Sequence, residues 1–147
     1  NVTQKPQLFY NQNKTWEKEI PFLNFMKPSN IIKAPHYYLM PTAWNDVVEL
    51  LRLNRVEMKL IERDTTLDVV AYEMLDFQTA KSPYEGHYLH DNCKTEKQYW
   101  NKTLQAGSYY LIDLNQKKKR FIFETLEPEA PDSYFNWNYF KNFWFLY

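Results

Sequence analysis

Residues 36–62 carry a strand pattern, a helix pattern and a second strand pattern with very short links between them. The run "HYYLMP" is a short apolar β-type stretch that Pro41 closes. The next stretch, "TAWNDVVELLRLN", spaces four apolar residues at i, i+3, i+4 and i+7: Trp44, Val47, Val48 and Leu51. In "RVEMKLI" three alternating residues share one face: Val56, Met58 and Leu60. Because the links are so short, a right-handed parallel βαβ unit is the expected geometry.

The predicted helix has suitable residues at both ends. Thr42 can cap its N-terminus, and Asp46 favours its first turn because the helix dipole is positive there. Arg52 suits the last turn, and Asn54 can end the helix. These signals place the helix between Thr42 and Asn54.

The chain on either side of this unit divides into a lead-in and a β-rich part. Residues 1–35 are interrupted by prolines, which predicts an irregular lead-in with one short strand around residues 22–26. Residues 63–128 contain short β-type runs separated by turn residues: "LDVVAYEMLDF", "GHYLH", "KQYWNKTLQ", "SYYLIDL" and "RFIFETL". Their spacing of about ten residues is typical of an antiparallel sandwich or barrel.

Residues 129–147 form an aromatic tail, "EAPDSYFNWNYFKNFWFLY", with Pro131 and Asp132 in helix-start positions. A helix that is apolar nearly all round is buried on more than one side, so this tail either packs under the sandwich or docks on a domain outside the chain. The predicted fold class is therefore α+β. A single domain spans residues 36–147: a strand–helix–strand unit (36–62), an antiparallel β-sandwich (63–128) and an aromatic helical tail (129–147).

Charge and composition exclude several kinds of partner. The 18 basic and 18 acidic side chains cancel, and the basic run "KKKR" at 117–120 is short enough for a solvated turn, so we expect no nucleic-acid partner. No segment approaches the roughly 18 apolar residues of a membrane span. With only 2 glycines, asparagine must supply many of the left-handed turn positions.

The stretch "SPYEGHYLHDNCK" contains His87, His90 and Cys93, and all three side chains are of types that bind zinc. Residues three apart on a strand point to opposite faces, so the two histidines diverge and the three remain weak metal candidates. Hydrogen-bonded structural histidines are the favoured interpretation. A thiolate nucleophile at Cys93 would also need an orienting group and an oxyanion pocket, which nothing in the spacing marks.

The acidic stretch "ETLEPEAPD" offers four carboxylates for acid–base chemistry or a calcium site: Glu124, Glu127, Glu129 and Asp132. A strand exit that carries solvated charges is the commoner explanation. No glycine-rich phosphate loop is present, so the common nucleotide-binding signatures are excluded. We therefore predict no catalytic residues in this chain.

Three motifs, "PYEGHYLH" at 83–90, "LNQ" at 114–116 and "ETLEPEAPDSYFNWNYF" at 124–140, resemble the C-terminal accessory domain of bacterial zinc carboxypeptidase-like proteins, members of the metallocarboxypeptidase family. The pattern of the strand–helix–strand unit is also similar. Two positions depart from the resemblance: Arg55 stands where a glycine is expected after the helix, and "QKKKRF" is more basic than usual. Both departures affect the geometry of turns more than they affect membership of the family.

The resemblance implies a catalytic domain that binds zinc through a His-x-x-Glu pair and a distant histidine, with a glutamate as general base. No His-x-x-Glu occurs in this chain. The chain is thus expected to be a non-catalytic accessory domain of a zinc-dependent carboxypeptidase. It would hold no cofactor, the parent's zinc would lie in a missing N-terminal catalytic domain, and the parent would be periplasmic or extracellular.

The same resemblance marks ten residues as structural or interface positions: Tyr84, Glu85, Gly86, His87, Asn115, Gln116, Asp132, Tyr134, Phe135 and Trp137. Gly86 is expected to permit a bulge or a close backbone approach. Two alternative functions remain open. One is a carbohydrate or cell-wall module that stacks Trp16, Trp100 or Trp137 on sugar rings, and the other is a small enzyme built on residues 87–93.

Overall fold

The computed structural model describes residues 8–28, 30–140 and 144–146. The chain divides into two units, Asn1–Ile32 and Lys33–Tyr147. In the first unit, the described residues form one turn, in which the Lys14 amide donates to the Asn11 carbonyl at 3.1 Å, and they form no helix or strand. The short strand predicted around residues 22–26 is therefore wrong, because these residues pair with no strand in the part of the chain that the structure describes.

The described residues of the second unit form six strands and two helices. In chain order these are β1 (Tyr37–Pro41), α1 (Asn45–Leu53), β2 (Lys59–Leu60), β3 (Thr65–Thr79), β4 (His90–Leu104), β5 (Tyr109–Asp113), α2 (Lys119–Leu126) and β6 (Trp144–Leu146). The fold is thus mainly antiparallel β with two short helices. Neither helix of the described part of the chain is long and apolar enough to cross a membrane.

The described strands form one six-stranded sheet in the order β2-β5-β1-β6-β3-β4, where the sequence predicted a sandwich of two sheets. Strands β1 and β2 are both antiparallel to β5, which lies between them, so the expected parallel βαβ unit is split by a later strand. The run "KQYWNKTLQ" lies in the long strand β4 up to Leu104, whereas "GHYLH", predicted as a separate strand, contributes only its last residue, His90, to β4. Local pattern does not reveal which strand pairs with which, because those contacts are distant in sequence.

Helix α1 forms where the sequence predicts it, and it buries Val47, Val48 and Leu51. Asp46 lies in its first turn and Arg52 in its last, as predicted. Thr42 does not cap the helix: its hydroxyl instead donates to the carbonyls of Gly107 and Ser108, at 3.1 and 3.2 Å. The tight turn between β1 and α1 is thereby tied to the start of β5.

Helix α1 ends in a Schellman motif. The Val56 amide donates to the Leu51 carbonyl at 3.0 Å, and the Arg55 amide donates to the Arg52 carbonyl at 2.8 Å. This motif needs a left-handed residue directly after Asn54, and Arg55 has φ of +59° there. The position at which the resemblance led us to expect glycine is thus the one at which the backbone favours glycine.

We expect Arg55→Gly to raise the free energy of unfolding by about 1 kcal/mol, because glycine adopts the left-handed conformation without a Cβ penalty. Urea unfolding of the two proteins measures the difference. Asn54→Gly is the control: its φ is −82°, so that change should destabilise. An unchanged or lower stability for Arg55→Gly would contradict the strain argument.

The stretch "RFIFETL", predicted as a strand, is helix α2. Its buried residues Ile122, Thr125 and Leu126 recur at helical spacing, and Arg120 pairs with Glu124 at 2.8 Å one turn apart. Over so few residues, aromatic and β-branched side chains favour a strand by propensity, whereas packing of one helical face decides the outcome.

The aromatic helix predicted for residues 129–147 is also wrong for the described part of the tail, which forms consecutive turns and then strand β6. Side chains bond to the tail's own backbone: the Ser133 hydroxyl donates to the Pro128 carbonyl at 3.1 Å, and the Asn136 amide donates to the Ala130 carbonyl at 2.9 Å. Such bonds compete with helix formation. Asn138 adopts φ of +56°, as expected where asparagine replaces glycine.

Each face of the sheet carries its own apolar cluster. On one face, β1, β3 and β5 pack with the two helices and the tail, and this larger core includes Leu51, Ile122, Phe135 and Phe140. On the other face a smaller cluster surrounds Leu39, Val69, Ala71 and Leu104. The tail is therefore part of the domain's own core, which agrees with the first of the two roles considered for it.

Candidate functional site

The motif "PYEGHYLH" forms a tight hairpin between β3 and β4. The amides of Tyr84 and His87 each donate to the other residue's carbonyl at 2.9 Å. The two residues between them, Glu85 and Gly86, have φ of +49° and +85°, the pair of positive values that a type I′ turn requires. A Cβ built on Gly86 would meet nothing within 4 Å, so the turn conformation, and not the expected bulge or close approach, explains this glycine.

The hairpin tip contacts the tail through aromatic rings. The imidazole of His87 lies 4.7 Å from the ring centroid of Tyr139 and 6.0 Å from that of Trp137. The ring of Tyr84 lies 6.2 Å from Trp137. We call Tyr84, His87, Trp137 and Tyr139 the hairpin–tail cluster. It joins two of the three motifs that carry the resemblance, which are some 50 residues apart in sequence.

His90 and Cys93 lie in a different environment from His87. The His90 ring packs against Phe77 and Phe135 at 4.6 and 5.1 Å, and its Nδ1 is 3.0 Å from the Thr79 hydroxyl. Burial lowers the pKa of His90 and raises the pKa of the Cys93 thiol to about 12. Cys93 is therefore a protonated thiol at neutral pH, which is unsuited to nucleophilic attack.

A zinc ion does not fit the donor set of this stretch. His87 packs among rings of the tail, His90 is engaged by Thr79, and the Cys93 thiol resists deprotonation. Across residues 8–28, 30–140 and 144–146, no three His, Cys, Asp or Glu side chains lie close enough to share a metal ion. His87 lies in the hairpin turn and only His90 belongs to β4, so the strand period from which we expected the two side chains to diverge does not apply to this pair.

The acidic stretch contains a buried carboxylate that the sequence did not distinguish from its neighbours. Glu127 is 1% exposed, and its two oxygens accept hydrogen bonds from the hydroxyls of Tyr38 at 2.5 Å and Tyr72 at 2.9 Å. Burial raises the pKa of Glu127, and the two hydrogen bonds oppose that shift. Because Tyr38 lies on β1 and Tyr72 on β3, this carboxylate joins two strands that are separated by β6.

The other acidic residues of this stretch have separate partners or face solvent. Glu124 pairs with Arg120, and Glu129 accepts hydrogen bonds from the Thr95 hydroxyl at 2.7 Å and the Thr95 amide at 3.1 Å. Asp132 is exposed. Glu127 thus ties the chain directly after α2 to β1 and β3, and Glu129 ties the tail to β4.

The remaining motif residues make contacts within their own domain. Gln116 accepts a hydrogen bond from the Glu57 amide at 2.9 Å and donates to the carbonyls of Glu57 and Asp113, at 3.1 and 2.7 Å. Through these bonds it holds the chain after β5 against the chain before β2. The Asn115 amide donates to the Asp113 carboxylate at 2.7 Å. Tyr134 and Phe135 are buried in the larger core.

The three tryptophans considered for sugar stacking have different surroundings within their own units. Trp16 is 77% exposed in the first unit. Trp100 packs in the smaller core cluster beneath Lys102, whose ammonium lies 5.8 Å from its ring. Trp137 is half-buried, and the rings near it are inclined by 52° and 81°. A flat stacking surface needs parallel, exposed rings.

Comparison with known proteins identifies one kind of relative. The chain is 33% identical over 100 residues to carboxypeptidase 2 of Trichophyton tonsurans and to that of Trichophyton equinum, and 31% identical over 100 residues to that of Trichophyton rubrum. The chain contains a carboxypeptidase-related region. Each match covers 68% of this chain and 18% of the relative, so the chain spans less than a fifth of the proteins it matches.

The relatives are fungal, whereas the resemblance suggested bacterial proteins. No protein-family model matches the chain. No solved structure matches it significantly. The comparisons therefore relate part of the chain to carboxypeptidases. The structure shows how the residues of the chain contact one another.

Proposed function

We propose that this chain is a non-catalytic accessory domain of a zinc-dependent carboxypeptidase polypeptide, where it packs on the catalytic domain and restricts access to it. The observation that carries the proposal is the match to less than a fifth of carboxypeptidase 2. The arrangement of the motifs supports it, because Glu127, Glu129 and Gln116 each hold one part of the backbone to another. A rigid scaffold of this kind suits positioning more than chemistry.

We expect the 147-residue chain to leave peptides with free C-termini uncleaved and the complete polypeptide to hydrolyse them. Peptides with amidated C-termini are the substrate control, since a carboxypeptidase needs the free carboxylate. Metal content by mass spectrometry, run on both proteins, should find zinc in the complete polypeptide. Hydrolysis by the 147-residue chain would overturn the proposal.

A restricting role predicts a second effect. Deleting residues 33–147 from the complete polypeptide should raise kcat/KM for long peptides more than for dipeptides, because a covering domain obstructs large substrates first. Equal changes in kcat/KM for long peptides and for dipeptides would contradict a role in restricting access. The domain would then only support the catalytic domain.

A further inference from the structure

Residues 20–26, "IPFLNFM", form an exposed apolar stretch of the first unit. Ile20, Phe22, Leu23, Phe25 and Met26 are 74%, 81%, 84%, 72% and 99% exposed. The stretch belongs to no helix or strand. Large apolar side chains exposed singly are ordinary, but several of them within one short segment mark an interaction site.

The order of these residues indicates how the stretch is covered. In an extended chain successive side chains point to opposite sides, so the adjacent pairs Phe22–Leu23 and Phe25–Met26 place apolar groups on both sides. A strand with one solvated side alternates apolar and polar residues, whereas a strand covered on both sides reads as a continuous apolar run. Lys18, Glu19 and Lys27 flank the run and mark its limits.

The size of the stretch indicates what kind of partner covers it. Seven extended residues reach roughly 23 Å, and each Phe can bury about 150–250 Å². The five exposed apolar side chains together supply on the order of 800 Å², about one partner's share of a standard interface, so the stretch is large enough for a specific contact. A covalently linked partner needs less area, because the link supplies a high effective concentration.

The relatives indicate that such a linked partner exists in proteins of this kind, since more than four-fifths of their length lies outside the matched region. We infer that residues 20–26 dock as an extended strand onto the catalytic domain of the same polypeptide. This inference rests on the proposed function. Added strands gain affinity from main-chain hydrogen bonds and specificity from pockets for alternate side chains.

Amide hydrogen exchange measured by mass spectrometry tests the inference by comparing the complete polypeptide with the 147-residue chain. We expect residues 20–26 to exchange at least about tenfold more slowly in the complete polypeptide. Fast exchange in both proteins would overturn the docking. Slow exchange in both would show that the stretch packs on its own chain, and slow exchange that depends on concentration would show a second copy, which also overturns it.

A matched pair of substitutions in the complete polypeptide separates a specific contact from a general effect. Leu23→Gln should speed exchange of residues 20–26 roughly tenfold, because a buried leucine side chain is lost. Leu53→Gln changes a leucine that is 75% exposed on α1 and should leave exchange there unchanged. Equal effects of the two would refute the contact. If the stretch is protected but the polypeptide cleaves no peptide, the proposed function fails and the docking stands.

Discussion

Replacing Glu127 by alanine should lower the free energy of unfolding by about 2–6 kcal/mol, because two buried tyrosine hydroxyls lose their acceptor at about 1–3 kcal/mol each. The hydroxyls belong to Tyr38 and Tyr72, which are both under 5% exposed. Urea unfolding followed by tryptophan fluorescence measures the loss. Since the carboxylate joins β1 to β3 across β6, we also expect faster amide exchange in β6.

Glu124→Ala is the matched control for that substitution. It removes a carboxylate three residues earlier that is paired with Arg120 at the surface, and such pairs contribute about 0–1 kcal/mol. Glu127→Gln should lie between the two, because an amide oxygen can accept from one tyrosine while its NH₂ group donates to the other. A loss for Glu127→Ala no larger than that of Glu124→Ala would refute the network.

The pH dependence of stability gives the same network an independent test. The pKa of Glu127 is raised in the folded chain, so the folded state holds this proton more tightly than the unfolded state does. The contribution of this group is therefore greatest below the pKa of an ordinary glutamate, about 4.3, and declines as the pH rises through the folded-state value. Glu127→Gln should remove that decline. A profile that Glu127→Gln leaves unchanged would show that another group is responsible.

Replacing Phe135 by alanine should cost about 3–5 kcal/mol, the usual range for removing a fully buried phenylalanine. Phe135 is 1% exposed and contacts the rings of Phe77 and His90 at 5.2 and 5.1 Å, so its loss also separates the tail from β3 and β4. Thermal and urea unfolding measure the change. Because His90 then becomes more hydrated, we expect its pKa, followed by NMR, to rise toward 6.5.

Tyr99→Ala is the control for that change, since it removes an aromatic ring that is 77% exposed on β4. Its effect should stay within about 0.5 kcal/mol. Equal losses for the two variants would mean that the tail does not form part of the core, and the tail would then return as a candidate docking surface.

The aromatic residues fall into a buried group and an exposed group, which sequence composition alone does not distinguish. Tyr134, Phe135 and Phe140 are under 10% exposed within the domain, whereas Phe22 and Phe25 in the first unit are more than 70% exposed. Residues of the first kind supply the core that makes the domain rigid. Those of the second kind are available to a partner, which moves the expected contact with a catalytic domain from the aromatic tail to the lead-in.

Features that depend on neighbours in sequence were predictable. Helix α1 follows from four apolar residues at helical spacing with suitable charges at its ends, and β3 and β5 follow from apolar β-type runs bounded by turns. Each of these is a local property, since the residues involved lie within about two turns or one strand.

Features that depend on distant partners were not predictable. Helix α2 and the turns of the tail form because apolar faces meet the sheet, and short segments have too little local preference to resist that packing. Nothing in the sequence pairs Glu127 with Tyr38 and Tyr72, which are 89 and 55 residues away. The loss of solvation on burial makes that carboxylate different from Glu124 and Asp132, and only the folded chain creates the burial.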